Sequence, residues 1–173
     1  MTLEEFNTLP DERIFAELER CCGSKAWIVR MITLRPFDSF FSICNNADEI
    51  WRSLSRDDWK EAFTHHPKIG DIDQLRKKFA STSAWAVGEQ QGVNNASEEI
   101  LRRLKDGNLK YEMKFGYIFI VFATGKSAGE MLSILDSRLN NSIEREIHIA
   151  AEEQRKITRI RLEKLFSHSP MSL

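Results

Sequence analysis

The sequence is poor in the residues that interrupt helices, since its 173 residues include 8 glycines and 4 prolines. This composition excludes collagen-like and low-complexity chains, which need far more of both residues. The sequence also lacks an excess of one charge, because 25 lysines and arginines are balanced by 26 aspartates and glutamates. Nucleic-acid-binding domains concentrate basic residues on one face, so this balance argues against nucleic acid as a partner.

Long hydrophobic runs are absent as well. The longest stretch without a charged residue covers 11 positions, residues 115–125, whereas a helix that crosses a bilayer needs about 20 apolar residues. The first residues are acidic where a secretory signal would be basic. The 3 cysteines form no Cys-x-x-Cys pair, and an odd number of cysteines suits a reducing compartment. The C-terminal Met-Ser-Leu lacks the basic middle residue of a peroxisomal address, so we expect a cytoplasmic protein without a membrane partner.

A recurring local pattern predicts that the chain is mostly helical. A capping residue is followed two or three positions later by an acid, and apolar residues then recur at helical spacing. Ser55 with Asp58 is the clearest case, and the helix that it opens should stop before Pro67, so that His65 to Asp73 form a loop. The apolar stripes predicted in the first part of the chain are Ile14, Phe15 and Leu18; Trp27, Ile28, Met31 and Ile32; Ile50, Trp51 and Leu54; and Trp59, Ala62 and Phe63.

Further along, the pattern predicts a shorter helix and one ambiguous stretch. Asn94 and Asn95 predict a turn, after which a helix capped by Ser97 should end at Gly107. Residues 115–122 fit a buried strand or a buried helix equally well by pattern. Because the neighbouring segments are helical, we expect a helix there too.

The last third of the chain completes the prediction of the fold class. Ser127 with Glu130 predicts a helix through Leu139, and Ser142 precedes a long final helix. No internal repeat, linker or shift in composition divides the chain. We therefore expect an all-α protein that forms a single compact multi-helix domain over residues 1–173.

The histidines predict proton chemistry better than metal binding. The chain has 4 of them, and none shares the His-x-x-x-His or His/Cys spacing of a metal site. His66, however, directly precedes Pro67, which keeps its backbone away from helical geometry and lets the ring project from a rigid loop. Histidine is the side chain best suited to move protons near neutral pH. His66 is therefore a candidate catalytic residue, and no metal is expected.

Two further segments carry polar groups that could serve such a histidine. Glu89 and Gln90 lie side by side between two glycines, where a carboxylate could orient an imidazole and an amide could bind a planar polar ligand. Arg161 lies on the apolar stripe of the last predicted helix. Burial of a guanidinium without an anion is costly, so Arg161 should meet an acidic side chain or an anionic ligand, or else extend to the protein surface.

Two other functions remain open at this point. Gly125-Lys126-Ser127 resembles the end of a phosphate-binding loop, although Ile120 stands where that loop requires glycine. A glycine turn with Ser127 as a helix cap explains the same residues. A helical interaction module without catalytic activity would account for the amphipathic helices, with Arg161 as an interface anchor.

Several motifs, in their order and spacing, resemble the OHCU decarboxylase family, whose members act on 2-oxo-4-hydroxy-4-carboxy-5-ureidoimidazoline. The similarity covers nearly the whole chain. The matching stretches are His66-Pro67-Lys68-Ile69-Gly70, Glu89-Gln90 with Gly92, Tyr111 and Lys114 through Ala123, Gly125-Lys126-Ser127-Ala128 with Glu130, and Ile157 through Arg161-Leu162 to Leu165, with Asn7, Leu9 and Arg35-Pro36-Phe37 near the start.

The resemblance implies an all-helical carboxy-lyase without a cofactor, commonly a homodimer, that removes CO2 to give (S)-allantoin in the last step from urate to allantoin in purine catabolism. It implies that His66 handles the proton, steered by Glu89. It places the side chains of Gln90 and Arg161 around the small-molecule substrate, with main-chain contacts from Pro67, Val121 and Phe122. The family often has a substrate-binding serine at the position of Ala86. Here Ser83, one helical turn earlier, could replace that serine.

Overall fold

The computed structural model describes residues 1–66 and 90–167, with side chains for residues 1–66 and 98–167. Helices dominate this part of the chain, and no strand occurs within it, which confirms the predicted all-α class. The helices are α1 (Leu3–Thr8), α2 (Asp11–Cys21), α3 (Lys25–Thr33), α4 (Phe40–Ser53), α5 (Arg56–Thr64), α6 (Gln90–Phe115), α7 (Ala128–Arg138) and α8 (Ile143–Ser167).

The predicted helix signals in the first part of the chain are confirmed, with one addition. Ser55 and Asp58 form the expected capping box, in which each side chain accepts a hydrogen bond from the backbone of the other. The addition is the short helix α1, which ends at Thr8 and for which no apolar stripe was predicted. Pro10 is the N-terminal cap of α2.

The contacts divide the described chain into two compact units. The first unit contains residues 1–66 and α8 from Ala151 onward. Within it, α3 packs against α2, α4 and α5. Most residues of the predicted stripes lie in its core, whereas Phe15 and Ile32 are only half-buried. The fully buried side chains of this unit include Phe6, Ile14, Leu18, Trp27, Ile28, Met31, Ile43 and Ala62. The single domain expected from the sequence stays a prediction.

Tryptophan side chains tie the helices of the first unit together through main-chain carbonyls. The indole N–H of Trp27 donates to the carbonyl of Ala47 at 3.0 Å. That of Trp51 donates to the carbonyl of Ala151 at 2.8 Å, which fixes α8 against α4. Buried indole N–H groups need such acceptors, so these bonds set the position of α8 as well as satisfying the rings.

The second unit contains α6, α7 and the first residues of α8, up to Ala150. α6 packs along α7. The turn predicted at Asn94 and Asn95 and the helix end predicted at Gly107 were wrong, because α6 runs without a break through these positions. A side chain at Gly107 would place its Cβ 2.6 Å from a terminal carbon of Leu135 on α7. Glycine is therefore needed there for close approach of two helices, not for a left-handed cap.

The helix predicted over residues 115–122 was also wrong. α6 ends at Phe115, and Gly116 adopts a positive φ of 78°, which terminates the helix. The chain from Gly116 to Ser127 is neither helix nor strand. Downstream, the predicted capping box of Ser127 and Glu130 at the start of α7 is confirmed, as is the long final helix after Ser142.

Candidate active site

His66 lies just beyond the C-terminal end of α5, in the loop that the following proline predicted. Its backbone N–H donates to the carbonyl of Phe63 at 3.2 Å, and its side chain is half-buried. The neighbouring His65 ring lies so close to Gly23 that a Cβ on that glycine would be 2.2 Å from the ring. His65 therefore packs against the connection between α2 and α3, and it holds the backbone directly before His66.

The ring of His66 is hydrogen-bonded to α8. Its Nε2 lies 2.5 Å from Oε1 of Gln154. The amide nitrogen of Gln154 donates in turn to the hydroxyl of Thr158, one helical turn later, at 3.1 Å. Gln154 is fully buried and Thr158 nearly so. Neither residue was predicted from the sequence, although polar side chains at core positions of an amphipathic helix were a usable signal.

Two cysteines border this chain of hydrogen bonds. Burial raises the pKa of Cys22 to about 12, although hydrogen bonds from the Ser24 backbone and the Thr158 side chain to its sulfur oppose the shift. Burial likewise raises the pKa of Cys21 to about 12. Since the thiolate is the reactive form of cysteine, neither thiol is suited to act as a nucleophile near neutral pH.

Arg161 lies two turns after Gln154 on α8, which brings it into the same unit as His66. Its Nη1 donates to the carbonyls of Arg20 and Cys21, at 3.2 and 3.4 Å. These are the last carbonyls of α2, which lack partners within their own helix. Arg161 therefore meets main-chain acceptors here, and these two bonds use only one arm of a guanidinium that can also bind an anion.

Val121 and Phe122 lie in the second unit, in the non-helical segment that follows α6. The segment is held through its main chain. Arg138 donates from Nη1 to the carbonyl of Ile120 at 2.8 Å, and Lys126 donates from Nζ to the carbonyl of Phe122, also at 2.8 Å. Both side chains that make these bonds come from outside the run of residues 115–122, which explains why its pattern alone did not reveal the conformation.

Arg138 belongs to a buried charged cluster in the second unit, formed with Glu146 and Tyr111. Nη2 of Arg138 lies 2.6 Å from the Glu146 carboxylate, and the Tyr111 hydroxyl donates to the same carboxylate at 2.5 Å. The side chains of Arg138 and Glu146 are 7% and 0% exposed. Asn141 donates to the second carboxylate oxygen at 2.7 Å, so both oxygens of Glu146 are bonded. Burial also raises the pKa of Tyr111, which keeps its hydroxyl a donor.

The remaining site residues predicted from the sequence cannot be placed in this geometry. Pro67, Ala86 and Glu89 lie outside the described residues, and Gln90 is described only as the first residue of α6. The structure thus associates His66 and Arg161 with one face of α8, and it places Val121 and Phe122 in the other unit. Their assignment to one substrate site stays a prediction.

The segment that resembled a phosphate-binding loop has a structural explanation. Ser127 donates its N–H to the Glu130 carboxylate at 2.7 Å and caps α7 in return. Lys126 is engaged with the carbonyl of Phe122. The start of α7 therefore already holds a carboxylate from its own chain where a phosphate would bind. Among residues 1–66 and 90–167, no group of three or more potential ligands is arranged for a metal ion, and no helix is long and apolar enough to cross a membrane.

The described geometry defines a class of protein: an all-helical fold that presents a loop histidine to buried polar groups on a long helix. The particular family follows from comparison with known proteins. Residues 7–163 match the family model described as OHCU decarboxylase. The chain therefore belongs to the OHCU decarboxylase family.

Individual relatives agree with this assignment. The chain is 38% identical over 154 residues to the uric acid degradation bifunctional protein TTL of Arabidopsis thaliana, covering 87% of this chain and 47% of that protein. It therefore spans about half the length of that relative. It is 24% identical over 166 residues to 2-oxo-4-hydroxy-4-carboxy-5-ureidoimidazoline decarboxylase of Halalkalicoccus jeotgali, covering 95% of this chain and 92% of that protein.

A solved structure agrees in fold. The chain matches a crystal structure of OHCU decarboxylase determined in the presence of (S)-allantoin, with a TM-score of 0.71 and 36% sequence identity. The match covers 91% of this chain and 99% of that one. The all-helical fold is thus shared with a relative that it covers almost completely.

Proposed function

We propose that this protein decarboxylates 2-oxo-4-hydroxy-4-carboxy-5-ureidoimidazoline to (S)-allantoin and CO2, the last step in the conversion of urate to allantoin. The observation that carries the proposal is the family match over residues 7–163. The structure adds support, because the motif histidine of that family, His66, is held on a fixed loop with its ring hydrogen-bonded.

The chemistry of the substrate explains why side chains alone can catalyse the reaction. Carbon 4 carries both the hydroxyl and the carboxylate, and the adjacent carbon 5 carries the ureido group and belongs to the ring C=N bond. When the bond to the carboxylate breaks, CO2 leaves and the electron pair left on carbon 4 forms a double bond to carbon 5. The electrons of the C=N bond move to the ring nitrogen, which takes up a proton. The hydroxyl loses a proton to become the ring carbonyl, and carbon 5 gains one from a single face. The enzyme must therefore orient the substrate and supply a proton to one face.

His66 is the group that we assign to proton transfer, with Glu89 steering its charge. Gln90 and Arg161 would bind the amide-rich anionic substrate and stabilise charge that develops on its oxygens. The bonds of Arg161 to the last carbonyls of α2 support this role, because they fix its side chain at the end of that helix.

Main-chain groups are expected to complete the site. Pro67, Val121 and Phe122 are proposed to contact the ureido and ring groups through their backbone. The bond from Arg138 to the carbonyl of Ile120 supports this, since it holds the backbone directly before Val121. Ala86 replaces a serine that is common in the family, so we expect weaker substrate affinity and an unchanged reaction.

The test generates the unstable substrate in the cuvette from urate with urate oxidase and hydroxyisourate hydrolase. Its ultraviolet decay and the circular dichroism of the allantoin product are followed with wild type and His66→Ala. We expect His66→Ala to lower kcat by about 100- to 10,000-fold, the usual contribution of a general acid or base. The matched control is His148→Ala, which removes an exposed histidine of the second unit and should keep activity.

Two results would contradict the proposal at different levels. If folded wild-type protein does not accelerate the decay, the protein acts on another substrate, and Ala86→Ser is the first change to make. If wild type is active and His66→Ala has a near-normal kcat, the reaction is right and the assignment of His66 is wrong.

We also propose that the protein works as a homodimer. Leu109 and Met113 lie one turn apart on α6 and are 51% and 87% exposed. A second copy could cover this apolar strip, because interfaces between copies are more apolar than the remaining surface. Light scattering during gel filtration should give the dimer mass for wild type and the monomer mass for Met113→Glu. A monomeric wild type would contradict the proposal.

For its location, we propose the cytoplasm. Support comes from Cys21 and Cys22, which are adjacent, buried and unpaired in the structure. Proteins with such free thiols are common in reducing compartments. Fractionation of the source cells should place the protein with cytosolic marker enzymes, and its recovery with peroxisomal markers would contradict this.

A further inference from the structure

A chain of hydrogen bonds links the proposed catalytic histidine to the interior of the first unit. It runs from His66 Nε2 to Gln154 Oε1 at 2.5 Å, and from Gln154 Nε2 to Thr158 Oγ1 at 3.1 Å. Gln154 is 0% exposed and Thr158 is 5% exposed. The two lie four residues apart on α8, so their side chains share one face of the helix. Buried polar side chains cost free energy unless they are bonded, so this chain is a built feature of the fold.

The two contacts of the Gln154 side chain define which way its amide points. Its amide nitrogen donates to the hydroxyl oxygen of Thr158. Its oxygen faces Nε2 of His66.

An amide oxygen can only accept hydrogen bonds, so the facing nitrogen of His66 must carry the hydrogen. In the neutral ring the other nitrogen, Nδ1, is then unprotonated and basic. We infer that Gln154 is a positioning residue that holds His66 as the Nε2–H tautomer and thereby makes Nδ1 the nitrogen that takes up and returns the proton. The tautomer does not depend on the proposed decarboxylation. Only the proton transfer assigned to Nδ1 rests on that proposed function.

The same arrangement suits both protonation states of His66. When Nδ1 takes up a proton, both ring nitrogens carry hydrogens, and the Gln154 oxygen still accepts from Nε2 with a stronger, charge-assisted bond. An amide in the reverse orientation would set its own N–H against the charged ring. The hydroxyl of Thr158 keeps the amide from turning, so its role is to hold the orientation of Gln154.

The direct test is NMR of protein labelled with 15N at histidine, because protonated and unprotonated ring nitrogens resonate far apart. The signals of His66 are identified as those missing in His66→Ala. We expect wild type to show the Nε2–H tautomer without any substrate present. Gln154→Leu should convert it to a mixture and lower kcat about 10- to 100-fold, by analogy with the loss of the partner that orients a metal-bound histidine.

Gln154→Glu separates positioning from packing. Glutamate keeps an acceptor towards His66, so this variant should retain the Nε2–H tautomer and most of kcat. Its added charge should also move the pH profile of kcat towards higher pH, because a neighbouring carboxylate favours the protonated ring. Thr33→Val is the matched control for loss of a polar group, since the Thr33 hydroxyl lies on α3 and donates to a carbonyl of its own helix.

A wild-type His66 that carries its hydrogen on Nδ1 would overturn the inference, as would Gln154→Leu with the wild-type tautomer and kcat. If Gln154→Leu does not fold, the wild-type spectrum and Gln154→Glu still decide the question. A wild type without decarboxylase activity would refute the proposed function. The tautomer of the His66 ring would still show whether Gln154 controls it.

Discussion

The two units of the protein bury polar groups in different ways. In the first unit, the chain that ends on His66 consists of an imidazole, the Gln154 amide and the Thr158 hydroxyl, groups without a permanent charge. In the second unit, Arg138 and Glu146 form a buried ion pair, in which Nη2 of Arg138 lies 2.6 Å from Oε1 of Glu146. One network ends on an imidazole that can gain and lose a proton, and the other is built on an ion pair.

This difference follows from what each network holds in place. Arg138 is occupied on several sides at once, by the Glu146 carboxylate and by the carbonyl of Ile120. Arg138 held in this way keeps the backbone at Ile120 in place, where the chain has no helical hydrogen bonds of its own. A neutral amide next to His66 instead leaves the ring free to change its protonation state. A buried ion pair is therefore suited to holding the backbone before Val121 in place. Neutral donors and acceptors are suited to His66, the proposed proton-transfer residue.

The largest effect on stability is expected when the charged network is broken. Glu146→Gln keeps the shape of the side chain but leaves the Arg138 charge buried without its partner. Loss of one partner from a buried ion pair costs about 3–5 kcal/mol, and urea denaturation should show a decrease of this size in the free energy of unfolding. The matched control is Glu144→Gln, an exposed acid on the same helix, which should be close to neutral.

A paired substitution tests whether the charge itself causes that loss. In Arg138→Met with Glu146→Leu, both charges are replaced by apolar groups, and much of the lost stability should return. The carbonyl of Ile120 would still lack its donor in this variant. A Glu146→Gln protein as stable as wild type would show that the cluster is more hydrated than its 0% exposure indicates.

A smaller loss is expected in the neutral network. Thr158→Val removes the hydroxyl that accepts from Gln154 and keeps the volume of the side chain. The buried amide N–H then lacks a partner, which costs about 1–3 kcal/mol. The free energy of unfolding should fall by this amount, less than for Glu146→Gln, while Thr33→Val should change it little. Equal losses in the two networks would remove the distinction drawn between them.

Much of the fold could be predicted because its signals are local. The capping boxes of Ser55 with Asp58 and Ser127 with Glu130 depend on residues three positions apart, and both are present. The errors arose where distant residues decide the outcome. α6 continues through Asn94, Asn95 and Gly107. At Gly107 the close approach of Leu135 on α7 explains the glycine, since packing there outweighs its weak helix propensity.

The candidate site divides in the same way. The histidine-proline motif predicts a loop residue, and His66 lies beyond the end of α5 as expected. Its partner Gln154 is 88 positions away, so no local pattern connects the two residues. The conformation after Gly116 likewise depends on Arg138, which is 18 positions from the carbonyl that it holds. The sequence therefore predicts the catalytic histidine, and the fold shows which distant side chain it is bonded to.

The smallest expected effect comes from a carboxylate of the second unit that is exposed instead of buried. Backbone and side-chain hydrogen bonds from Ser127 hold the pKa of Glu130 below its ordinary value of 4.5. A carboxylate with a lowered pKa in the folded state adds stability above its unfolded pKa, and this stability is lost as the pH falls through the folded value.

Glu130→Gln keeps a capping-box side chain without the charge. The difference in unfolding free energy between wild type and Glu130→Gln should therefore be present at neutral pH and shrink below about pH 4.5. In a Ser127→Ala background this pH dependence should become smaller, because alanine lacks the hydroxyl that donates to Glu130 and keeps the backbone N–H that donates to the same carboxylate. A difference that is constant with pH would mean that packing, and not the charge of Glu130, stabilises the start of α7.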